Sequence, residues 1–534
     1  MIQTIKNQIV GATTIIGGLL LILMPTLHSQ LEAQAQIRWG GEVFKPGSSA
    51  SFKVIGNWDE GILMQSRTSD RLFSPGKTFI QRLDNLTVLP QFNRPIQLET
   101  SKGDKSLEYQ VLEKIGSHPV LFATYFNKTR DKIELYGRPY NLEGEPEGKE
   151  TKIAEFGATR KSMVEGLNFV HSADSSTMLA FFSERWDKFE REKIQFILFN
   201  EQLQSTLNRS IEFPYAGNKF SVHSAKVDAS GRVYLLVRLE TQEKKARNKE
   251  QASYRYSLVT FTGDSSEVED YEIVLPEHRI VDIRFIPEAN GQITFSGFYA
   301  SNVARQTEGV FFMKIDRNAG GVVEKKLSIF DGSFKTSLGI GSRGRDNMEL
   351  PDFKLDHFIQ FGDSGYALVA EQFLIDEICY QDYRTGMMNC NYIYNFNSIA
   401  VINMSRQGQV IWSADIPKFQ ETANDGGRFS SYVFAQNKDQ IYFVFNDNQA
   451  NTAKNDARKV AVMNNVERAV PVLVTMKSNG NYTRDALSTE KRNKFPMLPR
   501  ASCQISNESI LLIGISANKY KTGILAIGSN GKED

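Results

Sequence analysis

The stretches DSGYALVAE (363–371), NKDQIYFVF (437–445) and SNESILLIG (506–514) each place a polar turn before a short aliphatic and aromatic run. Asp, Asn, Ser and Gly tolerate tight backbone turns. The runs are often apolar on both faces, which is typical of strands buried between two layers rather than of amphipathic helices. The same unit recurs at DEGILMQS (59–66), SHPVLFAT (117–124), DSSTMLAF (174–181), ASGRVYLLV (229–237) and ANGQITFSG (289–297). The repeat predicts an all-β chain.

A second unit follows each first one as a strand, a tight turn and another strand, for example GVFFMKIDRNAGGVVEKKLS (309–328). Together the two units predict a four-stranded antiparallel meander, A-B-C-D. The spacing of the modules suits the blades of a β-propeller, because radial repetition protects sheet edges. The predicted A strands begin near residues 52, 108, 166, 220, 280, 355, 429 and 500.

The last module, TGILAIGSNGKED (522–534), stops at its turn and has no D strand. A β-like run near the other end of the chain, IRWGGEVF (37–44), belongs to no module. Pairing this run with the last blade closes the ring without an open edge. We therefore predict about eight blades closed by an N-terminal strand, with seven blades as the alternative.

The pattern of the N-terminal residues predicts a signal peptide. Lys6 precedes an uncharged apolar or small stretch from Ile9 to Met24, and Ala33-Gln34-Ala35 offers a cleavage site. A membrane anchor is the alternative, but the stretch is short for a span. We expect a signal peptide at 1–35 and one propeller domain at 36–534, without a membrane span in the mature chain and exported to the periplasm or outside. Lys and Arg (63) balance Asp and Glu (62), which disfavours a nucleic-acid partner.

Connection lengths distinguish the two faces of the predicted propeller. A–B and C–D turns are short, whereas the long B–C and D–A connections share the other face. Long loops on a rigid scaffold often carry binding residues, although such insertions are also tolerated without a role. We call the face with the B–C and D–A connections the long-loop face. Its long connections are at 183–191, 240–252, 300–308, 330–354, 375–395, 416–428, 447–469 and 489–499.

Polar residues at strand ends and in one linker supply candidate binding groups on this face, because inner strand ends point toward the central mouth. Converging carboxylates can bind a cation or act as an acid–base pair. The alternative is that Asp and Asn only turn the chain. The candidates are Glu371, Gln372, Asn424, Asp425, Asn446 and Asp447.

The sixth-blade insertion carries Tyr380 and Tyr383, followed by Tyr392 and Tyr394. They are candidates for a surface that stacks on sugar or peptide, with cross-strand packing as an equal alternative. Cys379 and Cys390 lie symmetrically about a predicted hairpin tip, so a disulfide is a hypothesis.

No cofactor or metal is expected from the motifs. GIGSRG (339–344) matches G-x-G-x-x-G but lacks a following helix. The histidines after the predicted signal peptide are isolated and offer no zinc pair.

Four stretches resemble those of uncharacterised secreted β-propeller-like proteins of Bacteroidota: GVFFMKIDRNAGGVV (309–323), ALVAEQ (367–372), NDGGRFSSY (424–432) and IYFVFNDN (441–448). The resemblance implies a propeller-like fold and an envelope or extracellular location, but no activity, cofactor or catalytic residue. We interpret the chain as a non-enzymatic binding or scaffold propeller that docks an envelope protein, peptide or glycan. The alternative is a hydrolase or lyase of envelope or extracellular polymers that uses Glu371, Asp425 and Asp447.

Overall fold

Each turn-and-run unit folds as the second strand of an antiparallel sheet in the computed structural model. The runs are buried almost throughout, as in Gly61–Thr68 and Gln440–Asn448. The structure describes residues 37–47, 50–68, 76–98, 107–184, 189–240, 254–263, 267–301, 307–330, 332, 334, 353–362, 365–451, 460–490 and 492–528. The predicted signal peptide and the GIGSRG motif lie outside these residues.

The first four sheets, which we call blades 1 to 4, are meanders in chain order. Blade 1 contains β3 (Ala50–Trp58), β4 (Gly61–Thr68), β5 (Thr78–Leu83) and β6 (Pro90–Pro95). Blade 2 contains β7 (Glu108–Ile115), β8 (His118–Asn127), β9 (Lys132–Pro139) and β10 (Thr151–Gly157). Blade 3 contains β11 (Asn168–His171), β12 (Thr177–Ser183), β13 (Arg191–Asn200) and β14 (Ser205–Ala216). Blade 4 contains β15 (Phe220–Val227), β16 (Val233–Glu240), β17 (Tyr254–Phe261) and β18 (Glu269–Ile273).

Blades 5 to 8 repeat the pattern. Blade 5 contains β19 (His278–Pro287), β20 (Gln292–Ser301), β21 (Gly309–Asp316) and β22 (Gly321–Ile329). Blade 6 contains β23 (Phe353–Phe361), β24 (Gly365–Gln381), β25 (Met388–Ser405) and β26 (Val410–Ile416), with β27 (Gln420–Ala423) added on β25. Blade 7 contains β28 (Val433–Gln436), β29 (Gln440–Asn448), β30 (Ala469–Lys477) and β31 (Tyr482–Ala486), and blade 8 contains β32 (Cys503–Ser506), β33 (Ser509–Ile515) and β34 (Lys519–Ala526). Short 3-10 turns occur at Lys161–Gly166, Gly217–Lys219, Gln449–Asn451, Val466–Arg468 and Pro499–Ala501.

Blade 8 is completed from the other end of the described chain. β1 (Ile37–Trp39) and β2 (Val43–Phe44) both pair antiparallel with β34, with Ile37 opposite Leu525 and Val43 opposite Tyr520. This arrangement covers the edge that β34 would otherwise expose. The predicted closure by an N-terminal strand is confirmed, and the blade number is eight rather than seven.

The hydrophobic core is divided among the spaces between blades. In the described part of the chain, seven apolar clusters each join two consecutive blades, because both faces of the inner strands are apolar. The cluster of Met64, Leu83, Leu511 and Tyr520 joins blade 1 to blade 8. This contact closes the β-propeller from residue 37 onward.

Polar side chains connect the innermost strands, which contact one another from blade to blade. Lys53 forms an ion pair with Glu113 across blades 1 and 2. Arg284 donates to the carbonyl of Leu355 across blades 5 and 6, and Gln504 Nε2 donates to the carbonyl of Gln436 at 2.8 Å across blades 7 and 8. These contacts fix neighbouring blades around the propeller axis.

The sixth-blade connection differs from the expected loop. β24 and β25 stay paired from Phe373–Phe396 to Gln381–Met388, so most of residues 375–395 is strand and only the tip turns. Of the other long connections, 416–428 is described throughout, and the rest lie partly outside the described residues. Among the residues that are described, no helix is long and apolar enough to cross a membrane.

Candidate functional site

A two-stranded arm, residues 373–396, extends β24 and β25 beyond blade 6 on the long-loop face. A register shift between Glu371 and Phe373 marks its start, and such bulges bend a strand. Strand β24 therefore does not end at Glu371 and Gln372 as expected. Gln372 instead pairs with Phe353 at the last position where β23 supports β24.

The tip of the arm is a defined turn. The amide of Asp382 donates to the carbonyl of Met387 at 2.8 Å, and its carboxylate accepts the amide of Arg384 at 2.7 Å. Just behind the tip, Cys379 and Cys390 are directly opposite each other and form a disulfide. The arm is thus covalently closed near its end.

The arm exposes large apolar side chains on both faces. Tyr383 is 86% exposed and Met387 is 66% exposed, values unusual for residues of these types. Both faces contribute because consecutive residues of a strand, such as Leu374 and Ile375, point to opposite faces and both are exposed. The exposed set comprises Leu374, Ile375, Ile378, Tyr380, Tyr383, Met387, Met388 and Tyr392. Tyr380 and Tyr383, two candidates from the sequence, therefore lie on an accessible surface.

The linker between blades 6 and 7 supports the base of the arm. Its strand β27 pairs with β25, with Ile393 opposite Ala423. Asn424 then accepts the amide of Tyr392 at 2.9 Å and donates to Asn391 at 3.0 Å. Asn424 adopts φ 55°, which Asn tolerates better than most residues. The position of Asn424 indicates that it holds the arm in place.

Asp425 shapes the same linker. Its carboxylate accepts the hydroxyl of Thr422 at 2.7 Å and the amide of Gly427 at 2.8 Å. Gly427 has φ 67°, and a Cβ atom there would lie 2.6 Å from the ring of Phe396. Asp425 and Gly427 therefore act together as turn residues, which is the structural alternative considered for Asp425.

A buried ion pair lies beneath the arm. Glu371 accepts from Lys418 Nζ at 2.6 Å and from the hydroxyl of Ser431 at 2.7 Å. Lys418 also donates to the carbonyl of Phe396 and to Gln420, both at 3.0 Å. Burial lowers the pKa of Lys418, an effect that Glu371 opposes. We expected Glu371 to face the open mouth, but it is 4% exposed, and its ion pair with Lys418 offsets the cost of burying its charge.

Asp447 is also buried in an ion pair. Its carboxylate contacts Arg484 and accepts from Asn451 at 2.9 Å. Arg484 also donates to the carbonyl of Pro417 at 2.7 Å. Burial raises the pKa of the neighbouring Asp415 to about 8, against the charge of Arg484. Asp447 is fully buried, so it too differs from the expected mouth position.

The two carboxylates do lie in one electrostatic neighbourhood, because Asp447 and Glu371 both raise the pKa of Lys418. Asp356, an exposed residue on β23, also raises the pKa of Lys418. Tyr432 donates to Asp356 at 2.6 Å. Glu371 and Asp447 thus act on the same lysine, and both of these carboxylates are buried.

Asn446 is the third candidate that is buried. Its side-chain Nδ2 donates to the carbonyls of Phe429 and Met497, both at 2.8 Å. Its Oδ1 accepts from the backbone amide of Met497 at 3.3 Å. It thereby ties β29 to the linkers on either side of blade 7. Its side chain is thus occupied by hydrogen bonds to the backbone of these linkers.

Sequence reasoning missed Lys418 and Arg484, since a single cation near a strand end carries no distinguishing pattern. It also missed a cationic pocket on the long-loop face between blades 7 and 8, although the run KRNK (491–494) was an available signal. This pocket has a volume of about 790 Å³, and its charged lining residues are Glu42, Lys45, Arg428, Glu467, Arg492, Lys494 and Lys519.

One group of potential metal ligands occurs among the described residues: Glu377 with Cys379 and Cys390. Both sulfur atoms belong to the disulfide, so neither is available as the thiolate that a metal requires.

No protein-family model matches the chain, and a search of curated proteins finds no match. Among solved structures, the chain is similar to prolyl oligopeptidase B from Galerina marginata, with 11% identity and a TM-score of 0.38. The similarity covers 88% of this chain and 55% of that one. It is also similar to the β-propeller domain of the Trilobed protease from Pyrococcus furiosus, with 10% identity and a TM-score of 0.34, covering 84% of this chain and 97% of that one. A third is a polysaccharide lyase, PL25 ulvan lyase, with 9% identity and a TM-score of 0.36, covering 77% of this chain and 91% of that one. The activities of these proteins do not transfer at such identities.

Proposed function

We propose that the chain is an exported, non-enzymatic binding or scaffold propeller of the bacterial cell envelope that docks a partner on its long-loop face. The arm is the observation that carries this proposal. Exposed Tyr and Met are typical of protein interfaces, and a contiguous apolar patch on a rigid element marks an interaction site. The disulfide between Cys379 and Cys390 keeps the arm ordered before binding, which lowers the entropic cost of association.

A protein or peptide fits the arm better than a glycan. In the described residues, the part of β24 from 373 to 381 pairs only with β25, so one edge of the arm faces outward. An extended peptide can add to such an edge through backbone hydrogen bonds, with side-chain contacts providing specificity. Ile378 and Tyr380 flank this edge and are 53% and 54% exposed.

The positions of the carboxylates support binding rather than catalysis. Glu371 and Asp447 are buried in ion pairs, and Asp425 is occupied by turn contacts. A general acid or base must reach the substrate within hydrogen-bond distance. The hydrolase or lyase alternative therefore has no set of accessible carboxylates among these three candidates.

Export and envelope location remain part of the proposal. The disulfide supports them, because such bonds persist in oxidising compartments, and so does the apolar stretch from Ile9 to Met24. The intact mass of the protein recovered from the envelope should correspond to a chain that begins at Gln36. A full-length mass would contradict cleavage.

The docking proposal is tested by affinity capture from the native envelope. The triple variant Tyr383→Ser, Met387→Ser, Met388→Ser removes exposed side chains that support nothing in the blade. We expect the stoichiometric partner captured by the wild type to bind at least about tenfold more weakly to this variant.

The matched control is the double variant Val322→Ser, Val323→Ser on β22, where both side chains are 51% exposed. It removes exposed apolar surface away from the arm and should leave capture unchanged. A partner retained by the triple variant, or lost equally in the control, would show that the arm is not the docking element.

A further inference from the structure

A second pocket lies between the short turns of blades 5 and 6, on the face opposite the long-loop face. Its walls come from the β19–β20 turn, from β21 and β22, from the end of β23 and from the β25–β26 turn. The pocket has a volume of about 480 Å³, which suits a small molecule. The charged side chains among its described lining residues are Glu288, Lys314, Glu324 and Arg406.

Lys314 is a buried cation in this lining, and it has no counter-ion. It is 9% exposed, and its Nζ lies 5.6 Å from the ring centroid of Phe312 and 5.5 Å from that of Tyr366. Throughout the described chain, the ammonium donates no hydrogen bond and forms no ion pair. Glu324 is directly opposite Lys314 in the register of β21 and β22, yet the two charges do not pair. A largely buried charge without a partner costs free energy, which a ligand anion at this position recovers.

Glu288 contributes a carboxylate to the same pocket, and one of its oxygens is already used. Oε1 accepts from the hydroxyls of Tyr366, at 2.5 Å, and of Thr294. Within the residues that the structure describes, nothing donates to Oε2. Thr294 is directly opposite Lys314 in the sheet, and such pairs share a face. The pocket therefore offers a cationic donor and a free carboxylate oxygen on the same side of blade 5.

Two amide side chains add to the polar lining. Gln360 on β23 and Gln407 in the β25–β26 turn are both exposed. Neither side chain makes a hydrogen bond to any residue in the described part of the chain. A primary amide both donates and accepts, and a hydroxyl group does the same. These two amides are therefore suited to ligand hydroxyl groups.

The turns that carry these groups are held in place. The amide of Glu288 donates to the carbonyl of Gln292 at 2.8 Å, and that of Ser405 donates to the carbonyl of Gln409 at 2.8 Å. Gly408 has φ 72°, and a Cβ atom there would lie 2.2 Å from the ring of Phe312. The β25–β26 turn of blade 6 thus packs closely on blade 5, and a preformed site of this kind binds with a small ordering cost.

We propose that this pocket binds a sugar acid, a ligand with one carboxylate and several hydroxyl groups. The ligand carboxylate accepts from Lys314, and its hydroxyls bind Oε2 of Glu288 and the amides of Gln360 and Gln407. The two carboxylates of the lining, Glu288 and Glu324, repel a multiply charged anion such as phosphate. This site is separate from the arm and does not depend on the proposed docking function.

The test measures binding by titration calorimetry with two sugar acids, glucuronate and a disaccharide that ends in glucuronate. Three controls each lack one feature of the ligand: glucose has no carboxylate, alanine has no hydroxyl, and inorganic phosphate carries more than one charge. We expect a sugar acid to bind and all three controls to bind much more weakly. Tighter binding of the disaccharide indicates the end of an oligosaccharide as the ligand, and equal binding indicates the free sugar acid.

The variant Lys314→Met removes the charge but keeps a long side chain in the wall, and it should weaken binding at least about tenfold. The matched control is Lys325→Met, because Lys325 is exposed and points to the other side of β22 from Glu324. This control should bind like the wild type. The double variant Gln360→Ala, Gln407→Ala changes only exposed side chains and should weaken binding several-fold without a risk to folding.

Binding of a sugar acid that is weakened in Lys314→Met but not in Lys325→Met supports the proposal. The proposal is overturned if neither sugar acid binds at about 10 mM, a very weak limit, or if a control compound binds as tightly. It is also overturned if Lys314→Met binds like the wild type, and the double variant decides in the same way should Lys314→Met not fold. The arm triple variant should retain sugar-acid binding, so failure of one proposal is distinguishable from failure of the other.

Discussion

The ammonium of Lys418 lies 2.6 Å from Oε1 of Glu371, and both side chains are almost completely buried. This ion pair joins blade 6, where the arm begins, to the linker that leads toward the cationic pocket. Ser431 completes it by donating to Glu371 from a backbone with φ 69°. A non-glycine residue at this φ is strained unless its surroundings hold it in place. The network therefore orders the long-loop face from beneath.

Replacing Lys418 with Met should destabilise the protein by about 3–5 kcal/mol, because Glu371 is left as a buried charge without its partner. The midpoint of urea unfolding measures the effect. The control is Arg492→Gln, which breaks an ion pair with side chains 73% and 60% exposed and should cost less than about 1 kcal/mol. Equal effects of the two variants would contradict the assigned role of the buried pair.

His357 should make stability depend on pH in the acidic range. Its ring stacks on Phe434 with centroids 3.9 Å apart, and burial lowers its pKa from 6.5 to about 4, helped by Arg284. The folded state therefore binds a proton less readily than the unfolded state. Its contribution is fully present above pH 6.5 and is lost as the pH falls toward about 4.

The variant His357→Phe keeps an aromatic ring against Phe434 but cannot titrate. Thermal unfolding between pH 7 and pH 4, values that span the His357 shift, should show a shallower loss of stability in this variant than in the wild type. Identical pH profiles would show that His357 does not contribute to acid sensitivity.

Loss of the disulfide should affect the arm and not the blades. The double variant Cys379→Ser, Cys390→Ser opens a loop of 11 residues, and the model of loop entropy gives a local loss of about 2–3 kcal/mol. We expect faster limited proteolysis within the arm and an unchanged unfolding midpoint of the propeller. Mass spectrometry locates the cuts.

The control for this prediction is Cys503→Ser, which changes a thiol on β32 outside the arm. It should leave arm proteolysis unchanged. Cuts that appear first in the blades of the double variant would show that the bond stabilises the propeller as a whole.

Closure of the propeller should fail when β1 cannot pack on β34. A Cβ atom on Gly523 would lie 2.6 Å from the ring of Trp39, so Gly523→Val should displace β1 and lower the unfolding midpoint. The exposed edge of β34 should also promote aggregation. Gly321→Val is the control, because nothing lies within 4 Å of its Cβ position. A variant at Gly523 as stable as this control would contradict the closure.

Much of the fold was predictable because the blades are local. Each strand of a blade pairs with its neighbour in sequence, so the polar residues before Gly365 and the apolar run from Tyr366 to Ala370 already predict one strand. The closing strand at 37–39 was predictable because the last module lacked its fourth strand. The hairpin tip between Cys379 and Cys390 was predictable, but the pairing of β24 with β25 along the whole arm was not, because alternating polar and apolar residues in an insertion also occur in loops.

The candidate site was harder to predict. Tyr380 and Tyr383 are exposed to solvent, as a stacking surface requires. Glu371, Asn446 and Asp447 are buried. Whether a strand-end carboxylate faces solvent depends on which cation reaches it, and Lys418 and Arg484 come from other elements. A local sequence pattern does not show which distant cation lies beside a given carboxylate.

The sequence by itself determined the all-β class and the closing strand and narrowed the blade number to eight or seven, because these follow from turn chemistry and a repeated run of apolar residues. Only the tertiary structure decided which polar groups are buried, how the arm leaves blade 6 and where five cations meet in one pocket. The physical reason is distance along the chain. Hydrogen bonds within a blade join neighbouring strands, whereas Lys45 and Arg428 come together only when blade 8 is completed by the N-terminal strands.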